Sequence, residues 1–327
     1  MNIETPFIYK HIMGEEIESF IFKLNDGNFV EAIYFPPITR DAESSDGFCF
    51  SVSVGCALAR EDTACIMCAT GKLLEYKRAL SSNEMTNIAQ QLIKAKQSSP
   101  NSMLRFNFSG EGEPLYNMTA VLDTVKNLQD EYGSERTYFF ISTVGIAPAI
   151  PLLAHKLISN INPQNVYLQI SLHGMTNEIR NRFIPINQKF SLEELGKACT
   201  DFVEILRQDH RIKSYTNPLY NNLLRLNFIP MKDEIGFNFN LQTLDQDIKY
   251  LAEIFPVHEC HFQLAKWNYV KKIDSISPVL DDEIWDSISQ TAIKYGFMVK
   301  RFLSRGHNDK TGGCGTLIAQ TTTSENS

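Results

Sequence analysis

The chain lacks a leader of basic then apolar residues: its first ten, MNIETPFIYK, hold acidic and aromatic side chains instead, so no secretory signal is expected. It also lacks an apolar run long enough to cross a bilayer. The longest, Val144 to Ala154, is short and contains Pro148 and Pro151, so no membrane partner is expected. Basic charge is not in surplus. A formal net charge of −7 argues against broad, non-specific nucleic-acid affinity and leaves room only for a local basic patch. No internal repeat is visible. The seven cysteines cannot all pair; without a secretory signal they read as reduced thiols in a cytoplasm, used for metal or catalysis rather than as disulfide staples.

What is present is a globular composition, 43% apolar and 21% charged over 327 residues, enough for one large α/β barrel or two domains. Period-2 runs predict strands over 50–54, 103–109, 137–143, 166–173, 223–229, 261–268 and 298–303. Between them, 3.6-residue periodicity predicts helices over 118–132, behind Asn117 as N-cap, and over 191–206, opened by a Ser191/Glu194 capping box. Two more are expected over 241–255 and 281–295. Repeated strand–helix units imply a parallel sheet, closed or doubly wound.

Strand parity narrows the choice. One face of 166–173 is Val166, Leu168, Ile170 and Leu172; the other is Gln169, Ser171 and His173. Likewise Arg105, Asn107 and Ser109 oppose Leu104, Phe106 and Phe108, and Arg225 and Asn227 share a polar face. Helices outside the sheet take the apolar face, which turns the polar face inward. An ordinary eight-stranded barrel fills its interior with branched apolar residues. A polar interior therefore suggests a wider or incomplete barrel that holds a ligand; a solvent-facing sheet edge is the alternative.

Cysteines concentrate the chemistry. Cys56, Cys65 and Cys68 lie in VGCALAREDTACIMCATGK, between a predicted strand and a helix. Three thiolates leave a metal centre one open position, where catalysis occurs. A zinc site would need a fourth ligand, and no nearby His or Cys offers one. Cys199 and Cys260 fall in apolar elements and are assigned to packing. Cys314 sits among glycines in KTGGCGTL, which suits a mobile, close-approaching loop.

The cysteine loop resembles that of the radical S-adenosylmethionine (SAM) superfamily, whose usual spacing is three residues, then two. Here the first gap holds eight. Lengthening a closed loop from about 4 to about 9 residues costs only roughly 0.7 kcal/mol. The resemblance narrows to the RlmN/Cfr-type rRNA adenine methyltransferases. CFSVSVGCALA, SGEGEPLYN at 109–117, ISTVGIAP at 141–148, LQISLHGMTNEIRNRFIPINQKF at 168–190, AKWN at 265–268 and SRGHNDKTGGCGTL at 304–317 follow that family's motifs in order.

The resemblance implies an α/β fold: a partial (β/α)6 TIM-like radical SAM barrel over 46–305, after a short N-terminal β extension over 1–45. A C-terminal strand and loop over 306–327 would carry a catalytic cysteine and a disordered tail. It implies a [4Fe–4S] cluster on Cys56, Cys65 and Cys68, with SAM bound by Gly112, Glu113, Ser142, Thr143, Ser171, His173 and Asn268. Cys314 would be the methyl-carrying cysteine, and Cys49 the partner that takes a proton and closes a disulfide with it. The expected function is methylation of an sp2 carbon, with rRNA or tRNA adenosine as the family default and a flavodoxin- or ferredoxin-like electron donor. The acidic chain also admits a small-molecule or peptide substrate, or a non-catalytic metal-binding or redox-sensing role. Lys72, Lys77, Arg78, Arg180, Arg182, Lys266, Lys271, Lys272, Arg301 and Arg305 gather around the expected mouth; they form either a phosphate grip or a solvated rim.

Overall fold

The computed structural model describes residues 7–13, 17–37, 45–212, 221–266, 273 and 275–302. Three antiparallel strands come first, β1 (Phe7–Met13), β2 (Ile17–Lys23) and β3 (Phe29–Phe35). A turn at Asp26-Gly27 joins β2 to β3: Asn28 N–H donates to the Asp26 side chain, and Gly27 takes φ +85°. The chain continues through β4 (Ser45–Phe50), β5 (Ser53–Val54), the short helix α1 (Ala69–Leu73), β6 (Arg78–Ala79) and α2 (Ser82–Lys96). Strands and helices then alternate: β7 (Met103–Phe108), α3 (Met118–Tyr132), β8 (Thr137–Thr143), α4 (Ala149–Asn160), β9 (Val166–Ser171), α5 (Asn177–Phe183) and α6 (Leu192–Arg207). The last are β10 (Leu224–Phe228), β11 (Met231–Lys232), α7 (Leu244–Ile254), β12 (Cys260–Ala265), β13 (Ser277–Pro278), α8 (Asp282–Lys294) and β14 (Met298–Phe302).

Ten strands form one sheet in the order β1-β2-β3-β4-β7-β8-β9-β10-β12-β14. From β4 onward every neighbouring pair is parallel, so six strand–helix units precede a final strand. β3 joins the N-terminal strands to this array by antiparallel pairing with β4, Ile33 opposite Cys49. Among the described residues the sheet does not close: β1 and β14 are its edges. It curls instead, since residues from β3 to β14 line one cavity.

The two faces divide as parity predicted. Phe48, Phe50, Phe106, Phe108 and Phe139 are buried on the outer face and pack ring on ring, Phe106 stacking on Phe139 with centroids 5.3 Å apart. Helices cover them; α6 buries Leu195, Cys199, Phe202 and Leu206 behind the expected Ser191/Glu194 capping box. Cys199 and Cys260 lie fully in this core.

Two expectations need correction. The first parallel strand is Ser45–Phe50, not 50–54. Ser45, Asp46 and Gly47 look turn-like in sequence, yet the Asp46 carboxylate accepts from Tyr34 Oη–H (2.8 Å) and Ser102 Oγ–H (3.1 Å), which satisfies it inside the sheet. The chain then leaves the sheet and forms the β5–β6 ribbon. Asn117 stands at the start of α3 without capping it; its amide donates to Val52 O and Leu80 O, tying α3 to that departing segment. The N-terminal extension is three strands continuous with the main sheet, and Ile33 and Phe35 of β3 reach the cavity.

Candidate active site

Inside the curl lies a cavity of about 440 Å³. Its walls are the polar strand faces, including Arg105, Asn107, Gln169, Arg225, Asn227, Gln263 and Lys300. Its rim, at the C-terminal ends of the strands, carries Cys56, Cys65, Cys68, Glu113, Ser142, Thr143 and His173. That is the end where parallel α/β enzymes work.

The cysteine loop is built to present sulfur inward. Gly55, at φ +72°, passes so close to Glu75 that an added Cβ would meet its carbonyl oxygen at 2.5 Å, so only glycine turns the chain there. Cys56 follows, and the eight residues after it fold as a 3-10 turn over Ala57–Glu61, ended by Asp62 at φ +53°. Local winding thus absorbs the extra length. Cys65 and Cys68 close a tight turn, with Cys68 N–H on Cys65 O at 3.2 Å, and Cys68 opens α1. Burial, then the neighbouring Cys68, pushes the Cys56 thiol up to about 12. Burial does the same to Cys65 and Cys68. The thiols share a cavity, but among the described residues no three His, Cys, Asp or Glu side chains are gathered tightly enough to share one metal ion.

Glu113 is held from two sides. Its Oε1 accepts from Leu115 N–H (3.0 Å) and its Oε2 from Val144 N–H (2.9 Å), so it bridges the loops after β7 and β8. Burial pushes its carboxyl up to about 7. Among the described residues no cationic side chain pairs with it, and a ligand ammonium would supply the missing charge. Gly112, at φ +102°, brings this loop against Ser53, where any Cβ would collide with the hydroxyl. Glu111 turns the opposite way: its Oε2 accepts from Gly55 N–H at 2.9 Å and steadies the residue before Cys56. Burial, then Glu31, raises its carboxyl.

Ser142 and Thr143 end β8. Thr143 Oγ1 accepts from Gly145 N–H, and Ser142 Oγ accepts from the Gln169 amide at 3.0 Å. Ser171 ends β9 on the cavity wall. His173 takes the left-handed region, φ +44°, and its Nδ1 accepts from Ile229 N–H at 3.3 Å. Burial, then Arg180, lowers its imidazole to about 3, so it is neutral with its proton on Nε2. Cys49, near the end of β4, faces the cavity with Sγ 3.2 Å from Ser109 Oγ. Cys314 and Asn268 lie outside the described residues.

The basic rim is largely consumed by structure. Arg180 is not on the rim at all: it is fully buried, donating to Leu172 O, Ser171 O, Val144 O and Asn187 Oδ1. It clamps the loops that carry His173 and Val144. Arg78 pairs with Asp26 and Glu84, Arg182 with Asp233, Arg301 with Asp286, and Lys77 with Glu75. Lys266 lines the cavity. Lys271, Lys272 and Arg305 lie outside the described residues. Sequence reasoning missed Gln169 as the partner of Ser142, although strand parity had placed it inward, and missed Glu111 as the anchor of the cysteine loop.

No protein-family model matches the chain. A dual-specificity RNA methyltransferase RlmN from Vesicomyosocius okutanii subsp. Calyptogena okutanii is 34% identical over 215 residues, 64% of this chain and 55% of that protein. A probable RlmN from Dictyoglomus turgidum is 26% identical over 97% of this chain and 80% of its own length. The chain thus spans about half the length of some of the curated relatives it matches. Among solved structures, a radical SAM methyltransferase from Sphaerobacter thermophilus superimposes with a TM-score of 0.74 at 21% identity, covering 96% of this chain and 81% of that one, and shares its fold. In sequence the chain is similar to RlmN RNA methyltransferases, and in architecture it shares the fold of a radical SAM methyltransferase.

Proposed function

We propose that this protein is a radical SAM methyltransferase that methylates an sp2 carbon through a methylated cysteine, with RNA adenosine as substrate class. One observation carries the reading: three cysteines of one loop, the buried carboxylate of Glu113 and a further thiol, Cys49 of β4, all line one cavity at the working end of a parallel sheet. The RNA substrate follows the names of the relatives.

Cys56, Cys65 and Cys68 would hold a [4Fe–4S] cluster, leaving one iron open for SAM. When bound, the cluster and SAM supply the one-electron chemistry that starts hydrogen abstraction. The protein's part is orientation and exclusion. Glu113, fixed by two backbone amides, receives the SAM ammonium through a charge-assisted hydrogen bond. Ser142, oriented by Gln169, and Ser171 with the neutral His173 offer hydroxyl and N–H groups to the nucleoside part. Cys49 Sγ, held beside Ser109, accepts the proton that leaves the methylated carbon. Cys314 would carry the methyl group, and its C–S bond to the product would break as an S–S bond to Cys49 forms, the odd electron passing to the one-electron carrier. A flavodoxin- or ferredoxin-like protein supplies electrons.

Anaerobic purification followed by iron and sulfide analysis, intact-mass measurement and methylation of RNA from a methylase-deficient strain tests each layer. The expected result is about four irons per chain, a methyl adduct trapped on Cys314 in Cys49→Ala, and label transferred to RNA. A colourless protein that binds zinc and no iron would sink the enzyme reading. Iron and the Cys314 adduct without RNA labelling would leave the chemistry standing and remove the substrate.

A further inference from the structure

The cavity wall beside Cys49 is apolar. Ile33 of β3 pairs directly opposite Cys49 of β4, and Phe35 pairs opposite Gly47. Ile33, Phe35 and Cys49 all line the cavity, and Phe35 packs against the small buried cluster of Ile17, Ile33 and Cys49. Phe35 is half-buried, and it is the one Phe, Tyr or Trp among the described residues lining the cavity. Gly47 leaves it room: a Cβ at Gly47 would meet Phe35 Cβ at 3.1 Å, so a side chain there would crowd the ring.

Neighbouring rings are engaged with one another. Phe48 stacks on Phe106 and Phe106 on Phe139 on the outer face, and Phe140 stacks on Tyr167. No aromatic ring among the described residues stacks on Phe35. An aromatic face left partly wet is stabilised when an apolar surface covers it, and a planar ring would take an offset stack there. Phe35 and Cys49 are diagonal cross-strand neighbours. Such pairs stand about 7–8 Å apart, within reach of an aromatic side chain, so a ring lying on Phe35 turns its edge toward Cys49.

Position also separates this ring from SAM. Glu113 follows β7, and Ser142 and Ser171 lie on β8 and β9, whereas β3 is across β4 from all of them. With its ammonium on Glu113, the nucleoside part of SAM would run away from Phe35. We propose that Phe35, backed by Ile33, is the platform on which the planar base of the substrate stacks, holding the carbon to be methylated beside Cys49. The platform rests on the proposed function, which supplies the base and the role of Cys49.

Fluorescence titration of the full chain, prepared anaerobically with its iron and with SAM, by 2-aminopurine riboside tests it, because stacking quenches that base. Saturable quenching is expected. Phe35→Leu keeps an apolar side chain but removes the ring; it should weaken binding by about tenfold, and Phe35→Tyr should restore it. Methyl groups transferred to RNA per SAM consumed should fall and recover in the same order. SAM affinity, by equilibrium dialysis, and the methyl adduct on Cys314 should stay at wild-type levels. Phe35→Met takes the place of Phe35→Leu if that variant unfolds. Absence of saturable quenching, or a Phe35→Leu variant equal to wild type in either binding or coupling, overturns the platform. So does a tenfold loss of SAM affinity in Phe35→Leu, which would give the ring to the SAM base. Ring-dependent quenching without iron or a Cys314 adduct in the wild type would sink the methyltransferase reading alone. Iron and adduct without ring-dependent quenching would sink the platform alone.

Discussion

The outer and inner faces of the same strands obey opposite rules. Outside, Phe48, Phe106 and Phe139 stack under helices and are sealed from water. Inside, Arg105, Asn107, Gln169 and Arg225 face a chamber. Ordinary parallel barrels fill the inside with branched apolar side chains and so take stability from both faces. This sheet takes most of it from one, with only a small inner cluster of Tyr138, Phe140 and Tyr167 adding to it. Stability and chemistry are thereby separated by a single backbone thickness, and substitutions should sort by face rather than by strand.

The sharpest separation is expected at the rim. Cys65→Ala should abolish iron incorporation and bring methyl transfer to background while the melting temperature of the iron-free protein stays close to wild type, read by metal analysis and calorimetry. If the iron-free variant unfolded, the division between faces would be lost. Phe106→Ala, one face away, should do the reverse. Removing a fully buried ring that packs on Phe48, Phe50 and Phe139 costs about 3–5 kcal/mol, measured by chemical denaturation, with iron binding retained in the folded fraction.

Glu113 sharpens the comparison, being buried yet on the cavity wall, where we propose that it receives the SAM ammonium. Glu113→Gln should weaken SAM binding by about tenfold or more, by equilibrium dialysis. Its carboxyl, raised to about 7 by burial, is protonated below that pH and charged above it. SAM affinity should therefore rise by about tenfold from pH 6 to pH 8 and then level; a flat profile would remove Glu113 from the ammonium. The stability sign is opposite: the neutral form is favoured in the fold, so this contribution is largest in acid and is lost as pH climbs from the usual carboxylate range through about 7. The smallest effect belongs to the outer shell. Ser191→Ala removes the α6 capping box at a cost of about 1 kcal/mol, with SAM binding unchanged.

Periodicity carried most of the architecture. Thr137–Thr143 and Met118–Tyr132 begin and end where period-2 and 3.6-residue patterns place them, because each buries one continuous apolar face. What the pattern could not show were contacts between distant segments. Asp46 reads as a turn residue until Tyr34 and Ser102 supply its hydrogen bonds across the sheet. Arg180 reads as a surface charge because three of its four acceptors are backbone carbonyls, which no side-chain pattern reports. The cysteines and Glu113, singled out by residue type and spacing, do meet on one cavity.

The double amide grip on Glu113 has a thermodynamic consequence. Both carboxylate oxygens are occupied by backbone donors from two different loops, so the rotamer is chosen during folding and no side-chain entropy remains to be lost when a ligand arrives. Affinity at this point is governed by how well the Val144 loop holds its place. Under the proposed role of Glu113, residues that never touch the ligand, Arg180 through its bond to Val144 O above all, would act on ligand binding as the carboxylate does.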